Sequence, residues 1–408
     1  MKPMAVLFLA LFNSILGLSI LFPVLPPLGR ELGLQEWEIG LLSSGYALSQ
    51  LLFAPAWGRR SERVGRRPVL MIGVLGFAVG FAAFAGVAEL GLRHALGHWT
   101  LLALLLSART FGGALSSATL PTAQAYAADL SDSGSRTSAM AVIGAAFGLG
   151  IVFGPAIGGL TSWATGSLLA PVYLSSAVAL VNAVFIRTSL PEPPKRDAST
   201  PRPSPPGGLV RRLFPLLATS LVVTLASVAM EQTIAFYFQD RLHLTELETP
   251  RYVGGALVAY GVVAVLAQGF LVRRFKLSPL TLMRFGLPIA FVGYAALPFC
   301  TSFVPMTLAL VTQGLGQGLL LPGVTAAISL AAGDHDQGPA AGLNGSATGL
   351  GRLLGPAMGP ALYGLGRSQA ELGPGLPYAV SAILVLGLLA IVLTYRRFVP
   401  DPAPAPEP

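Results

Sequence analysis

Cysteine, lysine, histidine and charge of either sign are scarce in this 408-residue sequence, and each scarcity removes a class of function. Cys300 is the single cysteine, so no internal disulfide can form and no thiol-based metal site is expected. The three lysines, Lys2, Lys195 and Lys276, belong to no Gly-x-x-x-x-Gly-Lys loop, which argues against an ATP-driven pump built on that element. His94, His98, His243 and His335 fall in expected loops and read as solvated residues, not as a metal cluster or a catalytic dyad. No catalytic residue, metal or cofactor is therefore expected, and the chain is not read as an enzyme.

Only 11% of the residues are charged, against 53% hydrophobic, and the mean hydropathy is +0.68. Apolar runs of about 20 residues, enough to span a bilayer, follow one another along almost the whole chain. We read twelve, centred near Leu16, Leu48, Phe77, Arg109, Gly150, Ala179, Val222, Val262, Phe291, Leu319, Gly351 and Leu384. The first, Pro3 to Pro26, is too long for a signal-peptide core and has no small-residue cleavage site, so it is kept as a span.

The net charge of +8 could suggest nucleic acid, but its distribution points elsewhere. With the N-terminus inside, 18 Lys and Arg residues lie on the cytoplasmic side, against five (Arg30, Arg93, Arg241, Arg251 and Arg367) on the other. That asymmetry is the positive-inside pattern; it places both termini in the cytoplasm of an inner-membrane protein and leaves no nucleic-acid partner. The expected partners are the lipid bilayer, protons and a small-molecule substrate, and a monomer is expected.

The organisation is two-fold. Residues 1–188 and 211–398 each hold six spans, joined by a Pro-rich cytoplasmic linker at 189–210 and followed by a disordered tail at 399–408. A Gly-x-x-x-Gly-Pro-x-x-Gly pattern occurs at Gly150, Gly154, Pro155, Gly158 and recurs at Gly351, Gly355, Pro356, Gly359, a constant offset of 201 residues. Glycines four apart give a flat helix face for close packing, and the proline removes a backbone hydrogen bond and kinks the helix. Duplication of a six-span unit is the simplest origin.

Three motifs in order resemble the major facilitator superfamily over residues 4 to 398. Gly58-Arg-Arg-Ser-Glu62-Arg63-Val-Gly65-Arg66-Arg67, between spans two and three, is similar to its loop signature G-x-x-x-D-R-x-G-R-R/K, with Glu62 for the usual Asp. The resemblance implies a charge cluster that clamps the halves at the cytoplasmic mouth, with Asp129 pairing with the Arg63–Arg67 cluster. Leu105-Leu-Ser-Ala-Arg109 in span four resembles the L-x-x-x-R motif associated with proton coupling, with Gly112 for the usual Gln. The Gly150–Gly159 segment resembles the signature of drug:proton antiporters, expected to seal one end and set the direction of transport. Its second copy, carrying Arg352 and ending in Pro360, reads as a relic adapted to the substrate path. Span one and Phe238-Gln239-Asp240-Arg241 resemble tetracycline exporters, but Ser14 and Asn13 stand where those carry an acid.

An arginine at mid-membrane costs about 2.5–3.5 kcal/mol on insertion scales, so Arg109 is expected to face a watery path. Glu231 in span seven is the one acid placed away from loops and termini, where it can exchange a proton or pair with a cationic compound. Arg352 is expected to pair with Glu231 or to meet an anionic group of a substrate. The resemblance implies an all-helical, twelve-span transporter that exports amphipathic or lipophilic compounds against protons by alternating access. The alternative is proton-coupled export of an endogenous metabolite or sugar on the same scaffold.

Overall fold

Apolar runs separated by short turns of Gly, Pro and charged residues fold into helices, because only internally hydrogen-bonded backbone is stable in hydrocarbon. The computed structural model describes residues 3–131, 136–193, 207–275, 277–333, 336–369 and 373–394, and among them there are no strands. The first six expected centres fall on α1 (Pro3–Glu31), α2 (Glu36–Val64), α3 (Arg66–Leu92), α4 (His98–Ser116) with α5 (Thr119–Asp129), α6 (Arg136–Thr165) and α7 (Ala170–Ser189). The second six fall on α8 (Gly207–Leu242), α9 (Thr249–Leu266) with α10 (Val272–Phe275), α11 (Pro279–Ala296), α12 (Phe303–Ala332), α13 (Gln337–Ser368) and α14 (Leu376–Thr394).

Ten of these spans are long and apolar enough to cross a membrane by length and composition. Glycine-rich α13 is long but less apolar, and the last apolar helix, Leu376–Val392, is short.

Three local features differ from a plain reading of the runs. Span four is broken at Ser117 and Ala118, ahead of Pro121, into α4 and α5. A π-helical turn, Ala267–Leu271, separates α9 from α10. Helix α1 continues past Pro23, Pro26 and Pro27 to Glu31, which carries Arg30 on its last turn.

Most of the Pro-rich linker and all of the expected tail lie outside the described residues. So do Lys2, Lys195, Lys276 and His335.

The duplicated pattern shows its physical role in the packing. In α6, a β-carbon at Gly150, Gly154 or Gly158 would meet α1 at 2.9 Å or less, against Ile15, Ser19 and Ile20 respectively. In α13, one at Gly351, Gly355 or Gly359 would meet α8 at 2.9 Å or less, against Leu221, Val228 and Ala229. The same small-residue face thus fixes the proline-bearing fifth span on the first span of each half.

Candidate functional site

These two proline-bearing helices also reach across the halves. A β-carbon on Gly254 of α9 would lie 2.5 Å from the Pro155 carbonyl oxygen of α6, and one on Gly159 would lie 2.3 Å from the Pro250 carbonyl. The counterpart contact joins α2 and α13, where a β-carbon on Gly40 would sit 2.3 Å from the Pro356 carbonyl and 3.1 Å from Pro360. Both copies of the motif therefore close the same end, the one carrying the α1–α2 turn. The second copy is no relic, because Pro356 and Pro360 do against Gly40 what Pro155 and Gly159 do against α9.

Charge reinforces this closure. Arg30 on α1 grips Asp240 on α8 with both terminal nitrogens, at 2.6 and 3.0 Å, and donates to Gln239 at 3.0 Å and Glu36 at 3.1 Å. Arg367 on α13 donates to Glu36 at 2.8 Å, and the Tyr363 hydroxyl donates to Asp240 at 2.7 Å. The Arg30 guanidinium lies 4.9 Å from the centre of the Phe236 ring, which itself stacks on Tyr363. A forked cation on a carboxylate is a strong and directional contact, and here it ties four helices from both halves. Asp240 was expected in a loop; α8 extends to Leu242 and buries it in part.

At the opposite end, the loop motif organises its own half. Gly65 has φ +117, a conformation suited to glycine, and turns α2 into α3. Arg66 pairs with Asp129 at 2.9 Å and donates to the Ser61 hydroxyl at 2.6 Å, while Ser61 donates to the Gly58 carbonyl at 2.7 Å. Glu192 accepts hydrogen bonds from the backbone N–H groups of Arg66 and Arg67, an acid placed on the positive end of α3. Arg67 donates to the Arg187 carbonyl. Glu62, expected as the carboxylate of a clamp between halves, is exposed and forms no ion pair with a described residue. The acids that engage this turn are Asp129 and Glu192, and they tie it to its own half, not across to the other. Among the described residues, every ion pair between the halves lies at the α1–α2 end.

Arg109 is buried at 4% exposure and forms no ion pair with a described residue. Its guanidinium lies 4.5 Å from the centre of the Tyr46 ring, 5.6 Å from Phe81 and 5.8 Å from Phe84. The negative faces of these rings stand in for water around the cation. The Tyr46 hydroxyl is itself held by Ser116 at 2.9 Å and Gln50 at 3.1 Å. The expected watery placement is thus replaced by an aromatic box inside the first half. Nothing in the span-four motif announces Phe81 or Phe84, which come from α3.

Glu231 accepts a hydrogen bond from Ser227 at 3.2 Å, and Ser227 in turn lies 3.4 Å from the Tyr260 hydroxyl. Its neighbour Gln232 accepts from Ser43 of α2 at 2.9 Å, a bond between the halves. No ion pair joins Arg352 to Glu231, whose hydrogen-bond donor is Ser227. The Arg352 guanidinium instead lies 5.2 Å from the centre of the Phe147 ring on α6, and its side chain is exposed at mid-helix. One acid and one base therefore flank the boundary between the halves without neutralising each other in contact.

Elsewhere in the bundle Gln313 donates to the Tyr294 hydroxyl at 2.8 Å, Asn344 accepts from Ser220 at 2.6 Å, and Phe111 is exposed. His98 starts α4 and meets the buried Glu38 at 2.9 Å, so it is not the free loop residue expected. Among the described residues no cluster of His, Cys, Asp and Glu could hold a metal.

The family model described as Major Facilitator Superfamily matches residues 7–311 and 255–408, and the chain belongs to that superfamily of transporters. It is 26% identical over 364 residues to Multidrug resistance protein 1 of Bacillus subtilis (strain 168), covering 88% of this chain and 89% of that protein. It is 26% identical over 368 residues to Quinolone resistance protein NorA of Staphylococcus aureus (strain MSSA476), covering 89% and 90%. Among solved structures, a bacterial homolog of the human lysosomal transporter Spinster, inward-facing and occupied, superposes with TM-score 0.80 at 15% identity over 98% of both chains. The human organic anion transporter MFSD10 (TETRAN) gives 0.67 at 21% identity, covering 96% of this chain and 98% of that one. These likenesses establish a multi-pass membrane transporter, not an enzyme.

Proposed function

We propose that this transporter exports small amphipathic or lipophilic compounds in exchange for protons, by rocking of the two halves about a mid-membrane site. The observation that carries the reading is Glu231, a carboxylate in a membrane span with Ser227 as its hydrogen-bond donor, beside the Ser43–Gln232 bond between halves. A carboxylate free of a fixed cation can trade a proton for a cationic compound. One inward proton yields about 2.3 kcal/mol per 100 mV. The closed α1–α2 end is then the exterior end, in keeping with the positive-inside assignment, and the inner membrane is the expected location. Relatives named for multidrug and quinolone resistance support the substrate class.

The test uses proteoliposomes with an imposed pH gradient and a panel of cationic dyes. Wild-type protein should drive gradient-dependent dye flux and shift lumenal pH when dye is added. Glu231→Gln should abolish coupled flux while dye binding and folding persist. Unchanged flux in that variant returns Glu231 to a passive polar role, and no gradient-dependent flux for any dye ends the multidrug reading.

A second reading, export of an endogenous metabolite bearing an anionic group, is favoured by the exposed Arg352 beside Phe147. It requires Arg352→Gln to impair anionic solutes while leaving cationic dyes untouched.

A further inference from the structure

Three arginines at the end of α2 take no part in the contacts described above. Arg59, Arg60 and Arg63 line a groove of 530 Å³ whose remaining wall includes Phe53, Ala56 and Ile72. None of the three makes a hydrogen bond or ion pair with a described residue. No carboxylate lines the groove; Asp129 and Glu192 are already engaged, by Arg66 and by the start of α3, and Glu62 lies about 20° round α2 from Leu51, on the opposite side from Arg60. Trp57 donates to the Ala114 carbonyl at 2.7 Å, which fixes one side of the groove against α4.

The groove faces away from the boundary between halves. Leu51 is the α2 residue whose methyl lies 3.0 Å from a β-carbon built on Gly349 of α13. At about 100° per residue, Phe53 and Arg60 lie roughly 180–200° round the helix from Leu51. Arg63 follows Phe53 by ten residues, about 15 Å at 1.5 Å per residue. The charged end therefore sits at the end of the span, and the apolar end reaches down into the bilayer, where Phe53 is 47% exposed.

We propose that this groove binds an anionic glycerophospholipid, its phosphate between Arg59, Arg60 and Arg63 and one acyl chain along Phe53, Ala56 and Ile72. A free phosphate would use only the charged end, whereas the apolar wall at membrane depth calls for a chain. Uncompensated positive charge meets a headgroup of opposite sign, and each basic side chain near an anionic leaflet contributes about fivefold in affinity. Three arginines acting together give on the order of 100-fold.

The experiment is native mass spectrometry of the full chain in detergent, titrated with phosphatidylglycerol or with phosphatidylcholine of the same chains. Wild-type protein should take up a first phosphatidylglycerol at far lower concentration than phosphatidylcholine. The triple variant Arg59→Gln, Arg60→Gln, Arg63→Gln should lose affinity on the order of 100-fold, and Arg93→Gln, at the other end, should not. Ala56→Trp fills the chain slot with all three charges intact and should cost more than about tenfold, since each buried CH2 is worth roughly fourfold. It keeps the proposal open to refutation should the triple variant fail to fold. Equal uptake of both lipids, retained uptake by Ala56→Trp, or equal competition by chainless glycerol 3-phosphate overturns the site.

Discussion

Gly40 on α2 and Pro356 on α13 meet backbone to backbone, and a β-carbon on residue 40 would stand 2.3 Å from the Pro356 carbonyl oxygen. Gly254 and Pro155 repeat the relationship at 2.5 Å between α9 and α6. Closure of the α1–α2 end thus rests on two points where one half offers a proline carbonyl and the other offers no side chain.

Gly40→Ala should loosen that closure. Overpacking of this kind costs about 1–3 kcal/mol, which shifts the closed-to-open ratio roughly 5- to 150-fold. Spin-label distances across the α1–α2 end, measured in a Cys300→Ser background, should lengthen. An unchanged distance distribution contradicts the role of Gly40. Gly255, which meets nothing within 4 Å, supplies the control: Gly255→Ala should leave the distances alone.

The Arg30–Asp240 pair should show strong coupling. Removing one partner of a partly buried, bidentate pair strands the other, so Arg30→Gln and Asp240→Asn should each destabilise the closed state. A double-mutant cycle on thermal stability in detergent should return a coupling of at least about 1 kcal/mol. A coupling near zero would mark the pair as a surface ornament.

Arg109→Lys should behave unlike a conservative change. Lysine keeps the charge but loses the planar face that rests on Tyr46, Phe81 and Phe84. Loss of stability of about 1–2 kcal/mol is expected, read as a lower melting temperature, with transport lost in parallel. A lysine variant as stable and active as wild type argues that charge alone matters.

Glu192→Gln keeps the size and the acceptor oxygen but removes the charge at the start of α3. A loss of about 0.3–1 kcal/mol is expected, and it should shrink as salt is raised. Glu192→Ala should cost more, about 1 kcal/mol at any salt, because the two backbone N–H groups lose their acceptor. Equal melting curves for all three proteins would show that the cap contributes nothing.

The twelve spans, the duplication and the motif order were legible in the residues, because hydrocarbon leaves the backbone few choices and a 20-residue apolar run has essentially one fold. Gly65 was legible for a similar local reason: a turn with φ +117 suits glycine. The site was legible only in part. Arg109, Glu231 and Arg352 stood out because a charge in an apolar run is expensive wherever it sits. Their partners did not, since Phe81 and Phe84 look like any core aromatic until α3 is laid beside α4.

By itself the sequence determined where the chain crosses the membrane, that it repeats, and which few charges had to be accounted for. Tertiary structure alone decided that Arg109 is boxed by rings, that Glu231 and Arg352 stay out of contact, and that Glu192 caps the start of α3 while Glu62 is left exposed. It also decided that both copies of the glycine–proline motif close one end. The physical reason is range: spanning and kinking are set within one helix, whereas ion pairing and backbone approach depend on helices hundreds of residues apart, as Arg30 and Asp240 are.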